Sequence, residues 1–164
     1  MSASEVRAGF EEFVAARRGA LLRTAYLLTG GHEDAEDLVQ LALVKALPHW
    51  TRIADAPEPY VRRILARESV TRWRRRRWRE VSVDRLPESS ATGEDPTDRE
   101  LLRRALLQLS PRQRAVVVLR YFEDLTEAQT ADVLGIRLGT VKSHGREALE
   151  RLRSMLPDDD AVQV

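Results

Sequence analysis

The chain has 164 residues, of which 43% are hydrophobic and 32% charged, with a formal net charge of +1 and no cysteine. That length allows one medium domain or two small ones, and the lack of cysteine excludes a disulfide framework and a thiolate metal site. The opening MSASEVRAGFEEF lacks the charged-then-apolar pattern of a signal peptide. No apolar run approaches the roughly 20 residues that span a bilayer. The expectation is a cytoplasmic protein with no direct membrane insertion. Its charge is uneven: +4 over residues 1–80, −3 over 81–99 and 0 over 100–164. That pattern reads as two bodies joined by an acidic connector.

Ser4 to about Leu28 has helical periodicity, with Phe10, Phe13, Val14, Leu21, Ala25 and Leu28 on one face. Gly30–Gly31 ends it. A second helix starts near His32, with Glu33, Asp34, Glu36 and Asp37 crowding its positive end. Ala35, Leu38, Val39, Ala42 and Ala46 form its core side. Asp37, Gln40, Leu41 and Val44 lie opposite, so this second face either packs on a third helix or docks a partner. Pro48 closes the helix. Trp50 to Pro59 reads as a loop.

Tyr60 to about Arg79 reads as a long helix ending in RWRRRRWR. Six arginines with Trp73 and Trp78 suit a surface that neutralises phosphates and stacks exposed bases. A solvated cationic helix end is the alternative. Residues 81–97 carry Pro87, Gly93 and Pro96 among acids, the composition of a flexible linker.

Asp98 is the expected cap of the next helix, packed through Leu101, Leu102, Ala105, Leu106 and Leu109. Ser110-Pro111-Arg112-Gln113 reads as a capping box with proline at the first helical position. Ala115, Val116, Val118, Leu119 and Phe122 are the expected buried set there. Leu125 to Arg153 then reads as helix, tight turn, helix. Thr126 and Gln129 form another capping box, and Gly135 makes the turn. Ala131 is small enough for a close crossing, and Val141 points back into the crevice. Small, glycine, branched apolar at this spacing fits a DNA-binding helix-turn-helix; an αα-corner in a plain bundle is the alternative. Leu125, Ala128, Ala131, Val133, Leu134, Ile136, Val141, Ala148, Leu152 and Met155 are its candidate core. Thr140, Lys142, Ser143, Arg146 and Glu147 form the open face of the second helix. The fold class is all-α: two small helical domains, 4–80 and 98–156, joined by a flexible linker.

Three pieces in this order, DAEDLVQLALVKAL, YVRRILARESVTRWRRRRWRE and LSPRQRAVVVLRYFEDLTEAQTADVLGIRLGTVKSHGREALERLR, resemble the extracytoplasmic-function group of bacterial sigma factors over nearly the whole chain. The resemblance implies that the first body is sigma region two and the second region four. It implies that Asp34, Asp37, Gln40, Leu41 and Val44 dock on core RNA polymerase. It implies that the Trp50–Pro59 loop and the following helix, with Arg63, Arg67, Thr71, Trp73, Arg74 and Arg77, open the minus-ten promoter element. Thr140, Lys142, Ser143 and Arg146 would read the minus-thirty-five element. The partners implied are core RNA polymerase, promoter DNA and, as in many relatives, an anti-sigma factor. Some positions depart from the pattern. Arg67 stands where many relatives have Asn, Leu41 replaces a common Glu, and His144 stands where Arg is usual. Arg137–Leu138 replaces the usual Ser cap, and Gly145 interrupts the recognition helix.

Two other classes are weighed against this one. An autonomous repressor would use the same helix-turn-helix, but the chain offers no heptad run and no separate ligand pocket. An enzyme would need converging catalytic groups. His32, His49 and His144 have no paired-ligand spacing, and Gly30–Gly31 is not followed by a phosphate-loop lysine. No catalytic residue, cofactor or metal site is expected.

Overall fold

The computed structural model describes the backbone of residues 1–80 and 97–155, and the side chains of 1–72 and 97–155. The described residues are helical, with no strand among them. The expected linker, 81–97, falls almost wholly outside them, as do the side chains of Trp73, Arg74 and Arg77.

Helix α1 (Ala3–Thr29) begins at a capping box that the sequence reading did not single out. The Ser2 hydroxyl accepts from the Glu5 amide while the Glu5 carboxylate accepts from the Ser2 amide. It ends where Gly30 turns left-handed, φ 80°, a conformation that costs a residue with Cβ about 1–2 kcal/mol. Helix α2 (His32–Ala46) folds back along it and buries Ala35, Leu38, Val39, Ala42, Leu43 and Ala46.

The segment read as a loop is partly helical. Trp50–Ile53 forms a single turn, α3, and Trp50 is only 3% exposed. The long helix α4 starts three residues early, at Pro57, and runs to Glu80. Pro57 and Pro59 sit in its first turn, where amides lack intrahelical acceptors and proline costs nothing. Arg17 of α1 donates to the Glu58 carboxylate at 2.5 Å across this junction, and that partner raises the guanidinium pKa.

In the second half, α5 (Asp98–Gln108) is capped by Thr97, whose hydroxyl accepts from the Glu100 amide, and Asp98 is the first helical residue. Helix α6 (Pro111–Val117) has the expected Ser110/Gln113 box. It widens into a π turn over Val118–Phe122. That wider turn sets the helical phase back, so Phe122 leaves the buried stripe and is 43% exposed, contrary to the expectation. Helix α7 (Glu127–Leu134) has the expected Thr126/Gln129 box and ends at Gly135, φ 64°. Its fully buried residue is Thr130, which turns Ala128 outward, so Ala128 is no part of the core. Helix α8 (Leu138–Met155) buries Val141, Ala148 and Leu152; Met155, in its final turn, is exposed instead of packed.

The two halves do not stand apart. Ala115 of α6 and Val118 of the π turn belong to the same apolar cluster as Leu21, Leu38, Val61 and Leu65, and Leu134 of α7 packs against it. Leu27 of α1 packs in turn against the cluster of Ala105, Leu106, Leu109, Ala148 and Leu152. Arg114, 6% exposed, locks the junction. Its guanidinium donates to the carbonyls of Leu28 at 2.9 Å, Leu106 at 2.8 Å and Leu109 at 3.2 Å. Burial lowers its pKa from the ordinary guanidinium value. Arginine nevertheless stays charged in proteins, and the carbonyl ends of α1 and α5 supply the negative partial charge it needs.

Candidate nucleic-acid interface

The helix-turn-helix is built as its residue types require. Thr126 fixes the start of α7, and Gly135 donates its amide to the α7 carbonyls. The chain then turns tightly: the Ile136 amide donates to Ala131 O at 3.1 Å, and those of Thr140 and Val141 to Arg137 O at 3.0 and 3.1 Å. Val141 is 1% exposed and fills the crevice between the helices. Ala131 is half-buried at the crossing.

With Val141 and Ala148 inward, the helical period turns Lys142 and Arg146 to solvent. Thr140 and Ser143 are half-buried beside them. The Ser143 hydroxyl donates to Gly139 O at 3.0 Å. All four expected minus-thirty-five residues therefore lie on one exposed side of α8. Two cations near the helix start suit phosphate or guanine edges.

The minus-ten set is arranged differently. Arg63 and Arg67 lie on α4, but both are engaged by the second body. Arg63 Nη2 is 3.0 Å from the Asp132 carboxylate. Arg67 donates through Nε to Val133 O at 2.8 Å and through Nη2 to Asp132 O at 3.3 Å. The neighbouring Arg62 donates to Glu123 at 2.9 Å, and the Thr24 hydroxyl donates to the same carboxylate. The Thr71 hydroxyl back-bonds to Arg67 O. Trp50, in the segment expected to open the minus-ten element, packs on Phe10 and Phe13.

The second face of α2 is only partly covered among the described residues. Val44 is 58% exposed, Leu41 half-buried, and Gln40 exposed. Asp37 lies 3.9 Å from Arg72 of α4, and Asp34 is half-buried at the helix start. Asp37 on this face thus meets a third helix, α4, while Val44 stays in solvent.

Sequence reasoning missed Arg114 and the contacts between the halves. The signal for Arg114 was present. It falls on the stripe of Pro111, Val117 and Val118, where an apolar residue is expected. Contacts across the halves had no local signal.

Sigma-70 region 2 matches residues 13–79 and Sigma-70, region 4 matches residues 99–152. The RNA polymerase sigma-E factor of Streptomyces avermitilis is 43% identical, covering 92% of this chain and 87% of its own. The chain belongs to the extracytoplasmic-function group of RNA polymerase sigma factors. The ECF RNA polymerase sigma factor SigL of Mycobacterium tuberculosis is 36% identical, over 95% of this chain and 91% of its own. Among solved structures, the sigma factor RpoE of Bartonella quintana, in complex with the anti-sigma factor NepR, superposes with a TM-score of 0.71 at 28% identity. That superposition takes in 92% of this sigma factor and 98% of the Bartonella chain. The region 2 match contains Arg63, Arg67 and the exposed face of α2; the region 4 match contains the helix-turn-helix. As a sigma factor, the protein serves promoter-directed initiation of transcription. No described helix is long and apolar enough to cross a membrane.

Proposed function

We propose that this sigma factor carries core RNA polymerase to its promoters through three surfaces, and that it has no catalytic group of its own and acts in the cytoplasm. Asp34, Asp37, Gln40, Leu41 and Val44 on α2 dock on the polymerase. Arg63, Arg67, Thr71, Trp73, Arg74 and Arg77 on α4 hold and open the minus-ten element. Thr140, Lys142, Ser143 and Arg146 on α8 read the minus-thirty-five element. Residues 4–80 and 98–156 would be the two working units, with 81–97 between them.

One observation carries the reading: α8 buries Val141 and Ala148 while leaving Lys142 and Arg146 in solvent. A recognition helix needs that division, with one stripe fixing it to the domain and the other free for a groove. The uncovered apolar residue Val44, flanked by Gln40, supports a docking role for α2. An anti-sigma factor is a further partner, supported by the capture of the Bartonella relative by one.

Run-off transcription with purified core polymerase on a genomic promoter pool tests the reading. Wild-type protein should produce discrete start sites only when core enzyme is present. Arg146→Ala should lower that output and flatten its salt dependence. Asp37→Ala with Gln40→Ala should abolish co-purification with core enzyme at unchanged helix content. Output equal to wild type from all these variants refutes the assignment.

A further inference from the structure

We propose that the crevice between α1 and α5 is a binding site for a small aromatic carboxylate, a compound of one or two rings. None of its residues belongs to the polymerase or promoter surfaces, which stand whether or not this site exists.

The cavity measures about 290 Å³, at the lower edge of the roughly 300–1,000 Å³ that small-molecule sites occupy. Leu22, Tyr26 and Leu27 line it from α1, Leu102 and Leu106 from α5. All but Leu106 are only half-buried, so apolar surface is left uncovered there. The Tyr26 ring stacks on His32, with centroids 4.6 Å apart and planes at 25°, which puts a flat aromatic element in the lining. Two contacts fix the walls against each other. Arg103 of α5 donates through Nε to Gly30 O at 2.5 Å and through Nη1 to the Glu100 carboxylate at 2.9 Å. Leu107 lies so close over Gly30 that a Cβ at that position would come within 2.5 Å of its Cδ2. Only glycine lets α5 approach the end of α1 this far.

Charge selects the ligand. No acidic residue lines the cavity. Glu100, in the first turn of α5, is taken up by Arg103 and Arg104. Arg23 and Arg99 both line the cavity and are exposed. Neither has an ion pair or a hydrogen bond among the described residues. Two free guanidiniums beside an apolar, partly aromatic lining match a molecule with a carboxylate at one end and rings at the other, since the planar fork both pairs with a carboxylate and stacks on a ring. A phosphate-rich ligand would leave the leucine lining in water, and a hydrocarbon would leave the guanidiniums unpaired. One wall comes from each half of the chain, so a bound ligand strengthens the contact between the halves by mass action. The sigma factor thereby gains a receptor for a chemical signal besides a protein partner.

Isothermal titration of the full chain with naphthoate tests the site. Naphthoate should saturate a single site. The neutral naphthalenemethanol, of the same shape, should bind roughly tenfold more weakly, and octanoate, charged but without a ring, roughly threefold more weakly. Arg23→Gln/Arg99→Gln should weaken naphthoate roughly tenfold. The control Arg18→Gln/Arg112→Gln removes two exposed cations outside the lining and should bind as wild type does. Leu102→Trp fills the cavity and should abolish binding. No saturable binding of naphthoate, or binding that survives either the arginine pair or Leu102→Trp, overturns the site, as does an equal loss in the control pair. Equal affinity for naphthalenemethanol overturns the carboxylate, and equal affinity for octanoate overturns the rings. Arg23 and Arg99 are exposed, so their replacement keeps the fold and decides the matter even where Leu102→Trp does not fold.

Discussion

The Trp50 indole and the Phe10 ring meet edge to face, with centroids 5.4 Å apart and planes at 89°. Phe13 lies on the same indole at 5.6 Å, and a Cβ at Gly9 would come within 3.2 Å of its Nε1. Trp50 thus fastens the single turn α3 to α1. Its burial separates two roles that a tryptophan in this segment could have. A base-stacking tryptophan is exposed and nearly neutral for stability; a packed one is not. Trp50→Ala should cost about 3–5 kcal/mol, read as a lower urea midpoint with unchanged slope. An unchanged midpoint with reduced strand opening would return Trp50 to the DNA surface.

Gly145 departs from good helix chemistry inside α8, yet its surroundings do not require it. The backbone there is ordinary helix, and an added Cβ would stand 3.8 Å from Val116 Cγ1, a normal contact. Gly145→Ala should therefore stabilise by up to about 1 kcal/mol, the intrinsic helix preference of alanine over glycine. In a chain of this size that is a rise in melting temperature of about 2–4 °C. A fall would mean that α8 and α6 approach more closely in solution than the 3.8 Å contact allows.

Local chemistry was legible wherever one residue decides one turn. Ser110 with Gln113, Thr126 with Gln129, and the left-handed Gly30 and Gly135 all act within four residues, and each sits where its sequence context puts it. The stripe of α2 was legible for the same reason, since burial follows the 3.6-residue period. Phe122 departs because the π turn shifts the phase that the period assumes, and Ala128 because α7 turns Thr130 inward in its place. The docking of the two halves was illegible in a different way. Arg63 and Asp132 are 69 residues apart in sequence, and each alone reads as a solvated charge. Only the approach of α7 to α4 turns both into parts of one surface.

Arg114 offers the sharpest test of how the halves are joined. Its planar fork reaches carbonyls at the ends of two helices from different halves, Leu28 O and Leu106 O, and also Leu109 O. A methionine has similar length but no donors, so Arg114→Met would leave these acceptors unpaired, at about 1–3 kcal/mol for each one that water cannot reach. The loss should be at least about 3 kcal/mol in urea unfolding. Arg114→Lys keeps the charge but presents a compact ammonium that cannot serve the same spread of carbonyls, so it should recover only part of the loss. The order wild type, Lys, Met is the signature of a multidentate cap. If Lys equals wild type, charge alone suffices; if Met equals wild type, the carbonyls find other donors and Arg114 does not join the halves.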